Sequence, residues 1–185
     1  SSSFTVRLLQ ALYALKGEIV TKKRLALESI HIEQEMINEH VGSQDQVATA
    51  FGGFNKITFN GNHNIDVVPI VISDKKLQNF QSHLMLFFTG FQRNASEIEE
   101  KKIKQIKKKK RNLELMRNMV DEAIKILNEG DDISDFGKML HENWKLKKSL
   151  SGDVSTDIID DIYDTAINNG AIGGKILGAG RGGFM

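Results

Sequence analysis

The chain has 185 residues, 40% of them hydrophobic and 26% charged, a composition suited to a globular protein with a packed core. Twenty-five Lys and Arg against 24 Asp and Glu leave a formal net charge of +1, so the chain as a whole has no electrostatic preference for nucleic acid or an anionic membrane. The absence of cysteine excludes disulfides, thiolate metal sites and cysteine nucleophiles, and no apolar run approaches the ~20 residues of a membrane-spanning helix.

The first element is a helix over about Phe4 to Lys16. Ser1-Ser2-Ser3 supplies N-cap residues, Val6, Leu9 and Leu12 recur at helical spacing, and Gly17 sits at a C-cap. A second helix is expected from Lys22 to Asn38. Ser43, with Gln46 three residues later, is a capping-box signature for a short third helix ending before Gly52-Gly53. Phe54 to Phe59 and Asp66 to Ile72 then read as strands around an Asn60-Gly61-Asn62 turn. Leu84 to Phe88 reads as a short buried strand. Helices follow over about 95–128, 134–150 and 155–169, stopped by Gly130 and Gly170. Gly173 to Leu177 is expected as a short strand entering the glycine-rich run Gly178-Ala179-Gly180-Arg181-Gly182-Gly183. The composition turns polar between Val71 and Phe80, which marks a domain boundary; two domains, 1–74 and 75–185, are expected. Both ends read as cuts inside a longer polypeptide. The cysteine-free composition fits a cytoplasmic protein.

Several stretches carry chemistry alongside a simpler reading. A serine turn entering a helix offers N–H groups, hydroxyls and a positive dipole end to phosphate, and equally it is an ordinary N-cap. Asp45 lies in a first helical turn behind Gly42. It can serve as a dipole-stabilising residue, or as a carboxylate that orients an attacking hydroxyl and accepts its proton. Glu33 and Glu35 point to different sides of their helix, so one of them at most faces a site. Such a carboxylate can hold Mg²⁺, or lie on a solvated face. Four glycines in six residues allow close backbone approach to a ligand, or make a tight turn. The run does not match the G-x-x-x-x-G-K-[ST] phosphate loop. The lysine-rich stretch around Lys107-Lys108-Lys109-Lys110-Arg111 reads as the solvated face of a long helix; the alternative is a polyanion-binding stripe. The five histidines show no metal-ligand spacing.

Taken together and in order, these segments resemble the GHMP superfamily of small-molecule kinases. SSSFTVRLLQALYALKG resembles the family's second motif without its leading glycines. IEQEMINEHVGSQDQVATAFGGFN resembles the segment with the metal-binding glutamate and catalytic aspartate. FFTGFQRNAS resembles the strand-plus-Arg segment, and HENWKLKKSLSGDVS with IDDIYDTAINNGAIGGKILGAGRGGFM resembles the third motif and its approach. VGSQDQ, TGFQRNAS and WKLKKSLS point to the sugar-kinase branch.

The resemblance implies an α+β, two-domain GHMP kinase fold, a truncated ribosomal-S5-like N-terminal part followed by a ferredoxin-like C-terminal domain, with the active site between them. It implies an enzyme that moves the γ-phosphoryl group of ATP to the anomeric hydroxyl of D-glycero-D-manno-heptose 7-phosphate, or alternatively to another sugar such as L-fucose. Asp45 is then the catalytic aspartate. Glu33 is the Mg²⁺ ligand, with Glu35 as fallback, and Ser1 and Ser2 reach the metal and triphosphate. Gly178, Gly180, Gly182 and Gly183 form the loop beside the phosphates. Arg93 contacts the sugar or its phosphate, and Trp144, Lys147 and Lys148 help shape that subsite. ATP, Mg²⁺ and a sugar phosphate are the implied ligands, with no nucleic acid or membrane partner. Arg7 and Arg181 depart from the family pattern, where small residues are usual. Without the motifs that precede Ser1, the 185 residues alone are expected to be inactive.

Overall fold

The computed structural model describes residues 2–61, 64–90, 109–130, 132–152 and 154–185. They divide into two compact units, Ser1–Ile70 and Val71–Met185.

In the first unit, α1 (Ser2–Leu15) buries Val6 and stops at Gly17, whose φ of +71° lets the Glu18 amide bond back to the Tyr13 carbonyl at 3.0 Å. α2 (Lys22–His31) is N-capped by Thr21, whose hydroxyl accepts from the Arg24 amide. The Tyr13 hydroxyl donates to the Glu28 carboxylate, and Arg24 donates to the same group at 2.8 Å while its guanidinium lies 4.9 Å from the Tyr13 ring centre. Partial burial alone would raise the Glu28 carboxyl; hydrogen bonds from Tyr13 and Arg24 outweigh it and hold the group below the usual carboxylate range.

α2 does not run on as a regular α-helix to Asn38. It passes into a π-turn, Ile32–Met36. Asn38 adopts a left-handed φ of +52°, and the Glu39 amide bonds to the Glu33 carbonyl at 2.9 Å. α3 (Gln44–Phe51) follows, and then an antiparallel hairpin of β1 (Asn55–Phe59) and β2 (Ile65–Pro69) in register from Asn55↔Pro69 to Phe59↔Ile65. Ala26, Ile30, Val47 and Ile65 form the core, joined by Leu27, Phe51, Ile57 and Val67. These are the inward positions of α2, α3 and the hairpin.

In the second unit, α4 (Asp74–Ser82) begins at the N-cap Ser73 and packs Phe80 edge-on against Phe136 at 4.8 Å. α5 (Lys110–Glu129) packs along α6 (Ser134–Leu150), with Asn112 near the start of α5 bonding Ser149 near the end of α6. The pair is therefore antiparallel. α7 (Asp157–Asn168) is capped by Thr156. Trp144, Val154, Ile159, Tyr163 and Ile176 make the core of this unit. No helix among the described residues is long and apolar enough to cross a membrane.

Two sequence expectations change here. Residues 173–177 form no ladder strand among the described residues; the Leu177 amide bonds to the Phe184 carbonyl instead. Residues 84–88 are extended, with Phe87 paired to Met185 and a single bridge from Phe88 to Phe184. They are not buried: Leu84, Met85, Leu86, Phe87 and Phe88 stand 50–74% exposed. Successive strand side chains point to opposite faces, so both faces of this segment are only partly covered, Phe88 by the Phe184 ring 5.2 Å away.

The backbone of residue 173 lies directly on α6. A Cβ there would be 2.0 Å from the Gly137 carbonyl oxygen, whereas one at Gly152 would meet nothing within 4 Å. Gly173→Ala is expected to cost about 3 kcal/mol of unfolding free energy by overpacking, and Gly152→Ala less than about 0.5 kcal/mol. Urea unfolding of both variants checks the difference.

Candidate functional site

The first unit contains a buried carboxylate. Glu33 lies in the π-turn and is 4% exposed. The Ser2 hydroxyl donates to Oε2 at 2.8 Å, the Thr5 hydroxyl to Oε1 at 2.7 Å, and the Gln46 side-chain amide to Oε2 at 2.5 Å. The donors come from the first turns of α1 and α3, so one carboxylate ties three segments together. A carboxylate has about four acceptor positions; the described residues fill three and leave one on Oε1.

Glu35, two residues on, is exposed and pairs with His31 at 2.9 Å. The opposite orientation of the two glutamates, expected from helical geometry, holds through the π-turn. Gln34, between them, donates to the Val41 carbonyl and to the Ser43 hydroxyl, fastening the loop that leads into α3.

Asp45 is exposed in the first turn of α3. Next to it, Gln46 is fully buried. The capping box read from Ser43 and Gln46 is not formed: Ser43 makes no side-chain cap bond, and the Gln46 amide is drawn to Glu33. Ser3 approaches Thr49 with hydroxyl oxygens 3.3 Å apart. Ser1 and Arg93 lie outside the described residues, as do Lys107 and Lys108 of the lysine run. Arg7 is exposed and donates to Gln10.

The second unit contains the glycine loop. Gly178, Gly180, Gly182 and Gly183 all have positive φ, and Arg181 joins them at +59°. At Gly180 the requirement is doubled, because φ is +113° and a Cβ would lie 2.5 Å from the Val154 carbonyl oxygen. That carbonyl accepts from the Arg181 amide at 2.9 Å. The Gly183 carbonyl accepts from the Thr89 amide and hydroxyl.

Lys147 holds the loop from beneath. It is 8% exposed, and its ammonium donates to the carbonyls of Ile176 and Gly178, each at 2.7 Å. Trp144 is buried in the core, and its indole N–H has no partner among the described residues. Lys148 is more open; it pairs with Asp160 at 3.1 Å and lies 5.5 Å from the Trp144 ring centre. The structure thus gathers Trp144, Lys147 and Lys148 around the entry to the loop, with Lys147 and Trp144 facing inward. Lys175, not singled out from the sequence, has its ammonium disfavoured by burial. An apolar groove of about 680 Å³ also lies in this unit, walled by Phe80, Leu84, Leu86, Phe136, Leu140 and Ile167. The glycine loop is not part of its wall.

Thr5 and Gln46 are the contacts that sequence reading missed. Thr5 sits one turn after Ser2 on the face toward Glu33, a spacing visible in the sequence; nothing there indicates that Gln46 leaves its helix cap.

Residues 119–185 match the family model described as GHMP kinases C terminal. The whole chain is 36% identical, over 188 aligned residues, to D-glycero-alpha-D-manno-heptose 7-phosphate kinase of Campylobacter jejuni, of which it covers 55%. Two crystal structures share its fold. One is L. major mevalonate kinase in complex with R-mevalonate, at a TM-score of 0.69 and 21% identity, covering 99% of this chain and 54% of that one. The other is a D-glycero-D-manno-heptose 1-phosphate kinase from Bacteroides thetaiotaomicron, at a TM-score of 0.64 and 23% identity, covering 100% and 50%. The chain spans about half the length of each of these relatives.

Replacing Lys147 by Met removes the donor from two carbonyls, at an expected cost of about 1–3 kcal/mol for each acceptor left unsatisfied. Hydrogen exchange is expected to speed up at the Leu177 and Arg181 amides and to stay unchanged in the middle of α5. Unaltered exchange at both loop amides would show that Lys147 does not hold the loop.

Proposed function

We propose a function on the premise that the chain belongs to the GHMP kinases, its residues 119–185 forming part of their C-terminal domain. The whole protein transfers the γ-phosphoryl group of ATP to the anomeric hydroxyl of D-glycero-D-manno-heptose 7-phosphate. The observation that carries this reading is the buried Glu33 carboxylate, held by three side-chain donors, one of which, Gln46, is the residue next to the exposed Asp45 on α3. The 36% identical relative, whose name specifies heptose 7-phosphate, supports this choice of sugar.

In this reading Asp45 orients the sugar hydroxyl and receives its proton. The new bond joins the sugar oxygen to the γ-phosphorus, the bond from that phosphorus to the β,γ-bridging oxygen breaks, and ADP departs with the bridging oxygen. A carboxylate suffices as acceptor because a loose phosphoryl-transfer transition state releases the proton late. The exposure of Asp45 leaves its carboxylate accessible to a substrate.

The residues present fit Mg²⁺. Glu33 and the hydroxyl of Ser2 are hard oxygen donors with one carboxylate position open among the described residues, which hold no cluster of three acidic or histidine ligands. Mg²⁺ typically takes one or two carboxylates together with phosphate oxygens. Glu33 would hold it with Ser1 and Ser2, and when bound it would neutralise charge on the triphosphate. The N–H groups at the start of α1 would favour phosphate. The loop of Gly178, Gly180, Gly182 and Gly183 would pack against the nucleotide phosphates. Arg93 and Lys148 would meet the sugar or its 7-phosphate, with Trp144 and Lys147 shaping that subsite from below.

ATP consumption by the whole protein with D-glycero-D-manno-heptose 7-phosphate is the test. Asp45→Ala is expected to lower kcat by about 10²–10⁴-fold with an unchanged melting temperature, since the side chain is exposed. Equal turnover in the variant would remove Asp45 from the mechanism. Turnover with L-fucose but not with the heptose would change the sugar, and failure to bind ATP would overturn the kinase reading.

A further inference from the structure

The least expected polar residue in the first unit is Gln46. It is 0% exposed, and its side-chain Oε1 has no partner among the described residues. A buried acceptor left unsatisfied is destabilising, and leucine or methionine would fill the same space without that cost. The orientation of the amide is not arbitrary. Glu33 Oε2 only accepts when ionised, so Nε2 must face it across the 2.5 Å contact, and turning the amide over would oppose two acceptors. The orphaned oxygen is therefore the consequence of directing the nitrogen at Glu33. Thr5 performs the matching task on the other oxygen, at 2.7 Å.

We infer that Gln46 and Thr5 are positioning residues that clamp the Glu33 carboxylate, one on each oxygen, so that the remaining acceptor position on Oε1 is presented in a single direction to a divalent cation. This rests on the reading of Glu33 as a metal ligand. Gln46 is also the neighbour of Asp45 in the first turn of α3. The same amide thus fixes the helix turn that carries Asp45, and the two carboxylates are tied together by one side chain. Neither Gln46 nor Thr5 need touch metal or substrate.

Metal affinity separates this role from a merely structural one. Mn²⁺ binding to the whole protein in the presence of ADP, followed by electron paramagnetic resonance, is measured for Glu33→Gln, Gln46→Met, Thr5→Val and Thr5→Ser, beside each melting temperature. Groups that orient metal ligands are worth about 10–100-fold in affinity. Gln46→Met and Thr5→Val are each expected to weaken Mn²⁺ by that factor. Gln46→Met removes the orphaned acceptor but also takes a donor from the buried carboxylate, so its melting temperature is expected to fall, and the affinity is compared among variants that remain folded at the assay temperature. Thr5→Ser keeps the hydroxyl and should restore the affinity lost in Thr5→Val. If Glu33→Gln itself leaves Mn²⁺ binding intact, the metal reading and the inference fall together. If Glu33→Gln abolishes binding while Gln46→Met and Thr5→Val bind normally, the inference alone is overturned. Should Gln46→Met fail to fold, the Thr5 pair decides.

Discussion

A charged carboxylate in a protein interior must be met by enough donors to replace the water it has lost, and the first unit is organised around meeting that demand at Glu33. Ser2 and Thr5 fix how α1 enters, Gln46 fixes the start of α3, and the π-turn sets Glu33 between them. The apolar cluster of Ala26, Ile30, Val47 and Ile65 supplies most of the burial on the other side of α2 and α3. It would tolerate several relative placements of these helices. The hydrogen-bonded carboxylate tolerates far fewer, because each donor must arrive at under 3 Å.

A comparable logic governs the second unit, with the signs reversed. The chain exposes carbonyl oxygens as it turns into the glycine loop, and a buried ammonium collects those of Ile176 and Gly178. Lys147 comes from the last turn of α6, where a cation also complements the helix dipole. The loop is shaped from the other side by Val154, whose carbonyl leaves no room for a Cβ at residue 180 and bonds the amide of residue 181. Arg181 takes a backbone conformation that favours glycine. Its departure from the glycine pattern leaves the loop's left-handed path intact.

Much of the fold was legible in the sequence. α1, α3, α6, α7 and both hairpin strands appear close to where periodicity and turn residues put them, because those signals are local; α2 stops short of Asn38, α4 carries no such signal, and the part of the helix expected over 95–128 that precedes residue 109 lies outside the described residues. The opposed orientation of Glu33 and Glu35 was also legible, since two residues on a helix differ by about 200°. What could not be read was where polar side chains go once helices pack. Ser43 and Gln46 carry a capping signature whose partners are both local, yet a buried carboxylate 13 residues away is the stronger acceptor and takes the amide. Lys147 and Lys148 are adjacent cations in the sequence; only packing shows that one is sealed under the loop while the other stays half-open. The apolarity of the run Leu84 to Phe88 alone predicts a buried strand. Burial depends on what lies over it, which is not a property of the run itself.

That run has a practical consequence for handling the polypeptide. Five large apolar side chains on an extended segment, each at least half exposed, form the kind of surface that pairs with its own copies and promotes aggregation. The stretch 71–185 prepared on its own should therefore be hard to keep in solution at high concentration, and its solubility would reflect these five residues before it reflected the integrity of the helices behind them. For a crystallographer or a protein engineer, the choice of boundaries around residues 84–88 decides the behaviour of the sample more than any choice made in the helical part.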